Sequence, residues 1–347
     1  MDIPENDVIG ELLRLAAAEE SGHRRLALER AAHEAPMWPE EAAALAAAGR
    51  PLTELRSVGP WVAEKIASWL EDPPPAPEPD ENRRGYLTWA KVRRVLADDP
   101  WWEATPHADL QVHSTASDGA LAVDEMAEAA RTLGRTAIAS TDHSKSLKVA
   151  RGMDEERLGE HVARIDAVNA TYAEHGVDFR VLRSIEMDLF DQGDADMEPD
   201  ALAGLDLVLG AFHSKLRVRE DVTERYLAAL RNPTIDVLAH PTTRMYGRRA
   251  GLTADWPRVF DEAARLGVAI ELDATPRRQD LNVERARVAV AAGVRWFSMG
   301  SDAHAAEELG ALPIAMATAS LAGVPRDRIL NYRSPDEIMV WAAERRG

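Results

Sequence analysis

The sequence predicts an α/β fold: a closed barrel of seven parallel strands ringed by helices, preceded by a small all-α helix-hairpin-helix domain. Three observations carry this. From Ala108 onward seven short apolar runs, 108–113, 136–141, 179–186, 205–212, 235–240, 268–273 and 294–300, alternate with helical stretches, the pattern of a parallel sheet. The first run leads into His113, and each later one carries His, Asp or Glu at or just beyond its end. Only a closed barrel, unlike an open doubly wound sheet, brings all those ends to one mouth. Finally, the proline-rich stretch Pro73–Pro79 separates this pattern from a purely helical one before it.

Residues 1–72 read as the helical domain. Val8, Ile9, Leu12, Leu13 and Leu15 recur at helical spacing, and further helical stretches cover about 23–34 and 40–48. Leu52–Leu70 then reads as a short helix, a turn at Val58-Gly59 and a second helix, the hairpin arrangement that offers free N–H groups to backbone phosphate. Pro60 removes one of those donors, and 1–72 holds 14 acidic residues against 7 Lys plus Arg, which weakens the DNA-binding reading and leaves a helical packing domain as an equal alternative. Residues 73–106 are expected to be a stiff proline-rich linker and a short amphipathic helix at 86–97, with Trp101 and Trp102 covering a surface of the barrel domain, 107–347. In that domain the helices are placed at 122–133, 154–174, 221–231, 255–266 and 283–292.

Composition narrows the chemistry. The 347 residues carry a net charge of −18, which argues against an extended nucleic-acid surface. There is no cysteine, so any metal must be held by His, Asp and Glu, a donor set suited to zinc, manganese or iron. No apolar run approaches the roughly 18–20 residues of a membrane span, and the acidic start Met1–Asp7 lacks the features of a signal peptide, so a cytoplasmic protein is expected. No Gly-rich dinucleotide or P-loop motif follows a strand.

The candidate ligands stand at the strand ends. Alternation puts Gln111 and His113 on one face of the first strand, and Ser117-Asp118-Gly119 turns a third polar group nearby. Later runs supply Asp142-His143, Glu186, His213, His240, Glu271 with Asp273, and Asp302 with His304. Burying so many polar groups without partners would cost roughly 1–3 kcal/mol each, a cost that metal ions offset. Several ligands in one mouth imply more than one ion, and a pair about 3.5–4 Å apart would suit phosphate-ester hydrolysis. Arg244, Arg248 and Arg249 after His240, and Arg277 and Arg278 after Asp273, are candidates for holding phosphate oxygens. His23, His33, His107, His161 and His175 read as solvated or capping residues.

Asp109–Gly119, Thr141-Asp142-His143, Glu186, Phe212-His213, Ala239-His240-Pro241 and Gly300–His304 together resemble the PHP (polymerase and histidinol phosphatase) family, in particular the C-terminal domain of bacterial family X DNA polymerases. The resemblance implies a distorted (β/α)7 barrel holding two or three divalent ions, zinc or manganese with iron as an alternative, and phosphoesterase activity on a small phosphate ester or a DNA 3′ end. It places one ion on Gln111, His113, Glu186 and Asp302, and a second on Glu186, His213 and His240. A third falls on Asp118, His143 and His304. Asp302 or His304 would assist proton transfer, and Arg248 and Arg277 would hold phosphate. The family usually has histidine where this chain has Gln111. Residues 5–72 are similar to the family X lyase domain, with Gly59 in the hairpin and Lys65 at the position of its Schiff-base lysine. Polymerase palm and thumb have no room between the two domains. Alternative expectations are a DNA-end binding or repair-accessory module with an impaired barrel, and an abasic-site lyase acting through Lys65.

Overall fold

A computed structural model describes residues 3–99 and 105–347, which form two units, Met1–Pro100 and Trp101–Gly347. In the first, α1 (Asn6–Ala18), α2 (Gly22–Glu34), α3 (Ala42–Ala47) and α4 (Pro60–Glu71) pack around Ile9, Leu13, Leu28, Trp38, Leu45, Val62 and Ile66. Buried Asn6 ties the start of α1 to α3: its amide donates to the Glu40 carbonyl and accepts from Ala42 N–H, both at 2.9 Å. The stretch expected to be a linker belongs to this unit instead. Arg83 grips Glu11 with two hydrogen bonds of 2.7 and 2.9 Å, and α5 (Trp89–Asp98) follows, so the boundary falls at Pro100 rather than residue 72. Trp101 and Trp102 lie outside the described residues.

The second unit alternates strand and helix. Its elements are β1 (Ala108–Val112), α6 (Val123–Thr132), β2 (Ala137–Ser140), α7 (Glu155–Glu174), β3 (Arg180–Asp188), α8 (Pro199–Leu202), β4 (Leu207–Ala211), α9 (Thr223–Leu230) and β5 (Val237–Leu238). They continue with α10 (Trp256–Leu266), β6 (Ala269–Asp273), α11 (Val283–Ala291), β7 (Phe297–Gly300), α12 (Pro313–Ala322) and α13 (Pro335–Arg346). The helices start where the sequence supplies an acceptor: the Asp154, Asp255, Asn282 and Ser334 side chains accept N–H groups of the first turns of α7, α10, α11 and α13.

The strands pair in sequence order, each parallel to the next. The circle closes just beyond the end of β7. His113 N–H donates to the Ala303 carbonyl (2.8 Å), Asp302 N–H to the Gln111 carbonyl (3.0 Å) and Ser301 N–H to the Asp109 carboxylate (2.9 Å). The result is a nearly closed seven-stranded barrel. Every strand residue except Arg180 and Arg183 is buried, as expected where helices cover the outside and side chains fill the inside. Among the described residues no helix is long and apolar enough to cross a membrane.

Candidate metal centre

β1 delivers Gln111 and His113 to the barrel mouth, both fully buried. The loop behind them is folded around one carboxylate. Asp142 Oδ1 accepts Ser114 N–H (2.9 Å), Ser117 N–H (2.9 Å) and Ser117 Oγ–H (2.7 Å). Its Oδ2 accepts Ser114 Oγ–H (2.8 Å) and Ser140 Oγ–H (3.0 Å) and lies 3.2 Å from His161 Nε2. Gly119 closes the turn that presents Asp118, since a Cβ there would fall 2.7 Å from Ser114 backbone atoms.

Glu186, from β3 and 1% exposed, is the hub. Its Oε1 meets His240 Nε2 at 2.6 Å and His213 Nε2 at 3.2 Å; its Oε2 meets His143 Nδ1 at 3.1 Å and His113 Nε2 at 3.4 Å. One carboxylate thus offers a different pair of imidazoles to each oxygen, the disposition of a bridging ligand. Around it the rings form a chain, with centroid separations of 4.2 Å for His113–His304, 4.5 Å for His113–His143, 5.2 Å for His143–His213 and 5.3 Å for His213–His240. Asp302 Oδ1 stands 3.0 Å from His113 Nε2, and Asp118 Oδ1 3.4 Å from His304 Nε2 and 3.7 Å from His143 Nε2.

The residues fit metal ions. Both ring nitrogens of His113 and of His213, and Nδ1 of His143 and His240, are buried without a hydrogen bond, and buried polar atoms are rarely left so. Ligand atoms converge in three groups: His113, Asp118, His143 and His304; His143, Glu186 and His213; and His113, Glu186 and Asp302. This grouping differs from the expected one. His143 reaches toward both Asp118 and Glu186, while His240, hydrogen-bonded to Glu186, joins none of the three.

The electrostatics follow from burial. Burial opposes ionisation of Glu186, but His143, His213 and His240 outweigh it and hold the carboxyl well below its usual range. Burial lowers His143 to about 4 despite Glu186. His213 rises against burial to about 9 through Glu186 and Asp188, and His304 to about 10 through Asp118 and Asp302. Glu271 and Asp273, fully buried on β6, are pushed well up by burial and by neighbouring carboxylates.

Arg248 and Arg277, expected to hold phosphate, are exposed, Arg244 is buried, and the Arg278 guanidinium lies 3.3 Å from Asp302 Oδ2 and 3.6 Å from Asp273 Oδ2. His161 is not solvated: it is 5% exposed and hydrogen-bonds Ser140 Oγ at 2.9 Å. The buried residues Leu158, His161 and Ile165 of α7 show that its helical spacing carried this signal. Asp188, 3.4 Å from His213 Nδ1, is a further partner that the sequence reading did not single out. One end of the Gln111 amide lies 2.6 and 3.0 Å from the two Glu271 oxygens, and hydrogen-bond complementarity favours the nitrogen at that end. In the helical unit Gly59 precedes α4, and the Lys65 ammonium lies 6.0 Å from the Trp61 ring and 5.6 Å from that of Trp69.

No family model matches the chain. Curated relatives do. A probable phosphatase of Acetivibrio thermocellus is 31% identical over 212 residues, 58% of this chain and 81% of that protein. The chain belongs to the PHP family. A probable phosphatase of Edwardsiella ictaluri matches this PHP chain at 32% identity, covering 48% of it and 69% of the relative. The DNA polymerase/3'-5' exonuclease PolX of Bacillus subtilis is 38% identical over 231 residues, 66% of this chain but only 40% of its own length. Among solved structures, a histidinol phosphate phosphatase of Lactococcus lactis, complexed with zinc, L-histidinol and phosphate, superposes with a TM-score of 0.44 at 14% identity, covering 63% of this chain and 95% of that one.

Proposed function

We propose that the barrel is a metal-dependent phosphoesterase working with two or three divalent ions, zinc or manganese. The observation that carries this is Glu186, presenting two imidazoles to each of its oxygens inside a PHP barrel. Bound ions would supply Lewis acidity and an activated water. The protein's own groups do the rest. His304 and Asp118, each 32% exposed, form the open side at which a phosphate ester enters, and His304 is the ring placed to pass a proton there. Arg278 fixes Asp302 by its second oxygen so that the first faces His113. Relatives named as phosphatases support a phosphate monoester as substrate, and the exonuclease relative supports a DNA 3′ end.

The test is phosphate release from p-nitrophenyl phosphate and nucleotide release from a 3′-labelled oligonucleotide, with manganese or zinc, for wild type and His240→Ala. Metal-dependent turnover that the variant loses is the expected result, and the preferred substrate separates the two classes. Absence of turnover in metal-loaded protein refutes the reading.

A second reading concerns the helical unit. Lys65 lies between two half-buried tryptophans, and aromatic rings beside a cation suit an unstacked nucleic-acid strand. This supports a weak DNA contact or abasic-site lyase role through Lys65. Borohydride trapping on abasic DNA, lost in Lys65→Ala, is expected; trapping retained in that variant sinks the idea.

A further inference from the structure

We infer that the metal centre is chemically graded, with an imidazole-rich end that retains zinc and an oxygen-rich end beside Gln111 that selects manganese. The inference rests on the metal-dependent reading of the same site.

The donor sets differ. His113, Asp118, His143 and His304 combine three imidazoles with one carboxylate; His113, Glu186 and Asp302 combine one imidazole with two carboxylates. Imidazole suits zinc, whereas carboxylate and carbonyl oxygens suit manganese and other hard cations. Gln111 makes the second set harder still. It is fully buried; one end of its amide, the nitrogen by hydrogen-bond complementarity, lies 2.6 and 3.0 Å from the Glu271 oxygens, and Glu271 also accepts His240 N–H at 2.7 Å. Gly300 of β7 packs closely against Gln111: a Cβ there would lie 2.5 Å from both Gln111 Cβ and Glu271 Oε1. The only ligand atom Gln111 has left is its amide oxygen. Glu271 thus steers an oxygen donor in the way a carboxylate behind a ligating histidine steers a nitrogen donor.

The test uses the full chain, stripped of metal, saturated with zinc and dialysed. Mn(II) is then titrated and read by loss of its free aqueous electron paramagnetic resonance signal, with total metal measured by mass spectrometry. The expected result is about one Mn(II) taken up per chain without displacement of the retained zinc. Gln111→His should gain one zinc, and its Mn(II) affinity should fall about tenfold or more. Gln111→Leu should lose Mn(II) affinity without gaining zinc, and it decides the matter if the histidine variant fails to fold. Zinc-loaded wild type that leaves the Mn(II) signal unchanged, or variants that bind Mn(II) as wild type does, overturn the inference. Because the readout is metal content, absent turnover alongside graded binding would count against the phosphoesterase reading alone.

Discussion

Replacing Asp142 with asparagine tests how the centre is held. Asp142 is fully buried and accepts five hydrogen bonds of 2.7–3.0 Å from Ser114, Ser117 and Ser140, with His161 at 3.2 Å. Its pKa is held low against burial by His161, with His113 and the Ser117 hydroxyl adding to the effect. Asparagine keeps one acceptor oxygen, which can serve the three donors on Oδ1. It sets an NH2 against the donors on Oδ2, where the hydroxyls can rotate but His161 loses its anion. Hydrogen bonds to a charged group contribute roughly 1.5–3 kcal/mol, and breaking a buried ionic contact costs about 3–5 kcal/mol. Taking about 3 kcal/mol as the net loss lowers Tm by about 6–12 °C for a unit of this size. The loop 113–119 carries His113 and Asp118, so zinc affinity should fall about 10–100-fold as well. Differential scanning calorimetry and zinc competition against a chromophoric chelator measure the two effects. A variant within about 2 °C and about threefold of wild type would refute the claim that Asp142 organises this loop.

Further outcomes are specific. Arg278→Met should lower kcat about 10–100-fold by freeing Asp302, while Arg248→Ala and Arg277→Ala stay within about threefold, measured by steady-state phosphate release. Gly300→Ala should destabilise the barrel by about 1–3 kcal/mol in urea denaturation, because its methyl would collide with Gln111 and Glu271. In metal-free protein His213 and His304 are raised to about 9 and about 10, so their contribution is complete below the unfolded value of about 6.5 and lost as pH climbs toward 10. His143, lowered to about 4, makes folding less favourable as pH falls from about 6.5 to 4. Metal-free Tm should therefore peak near neutrality and decline on the alkaline side; a flat profile from about pH 7 to 10 contradicts these assignments.

The barrel was readable because each strand is a short apolar run and each ligand stands at or just past its end, so period and position agreed for His113, His143, Glu186, His213 and His240. The loops were harder to read. Choosing Arg278 over Arg277 depends on backbone direction, and Gln279 beside it takes a left-handed φ of 48°. His240 and Asp302 also have positive φ, 27° and 51°, conformations that re-aim a side chain and that residue type alone does not reveal. His161 was misjudged because α7 is polar overall, although its spacing from Leu158 and Ile165 put it on the buried face. The extent of the first unit turned on Arg83 meeting Glu11, a contact across 72 residues that no local pattern encodes.

The seam that closes the barrel has a consequence for biogenesis. Residues 109–113 and 301–303 meet across about 190 positions, and the same segments carry His113 and Asp302. Contacts so distant in sequence form late, after the intervening loop has been closed. A nascent chain emerging from the ribosome would therefore carry all seven strands before its ligand set could be complete. Metal capture by that set would then wait for residues 302–304, and a chain truncated before residue 300 would be left with only a partial site.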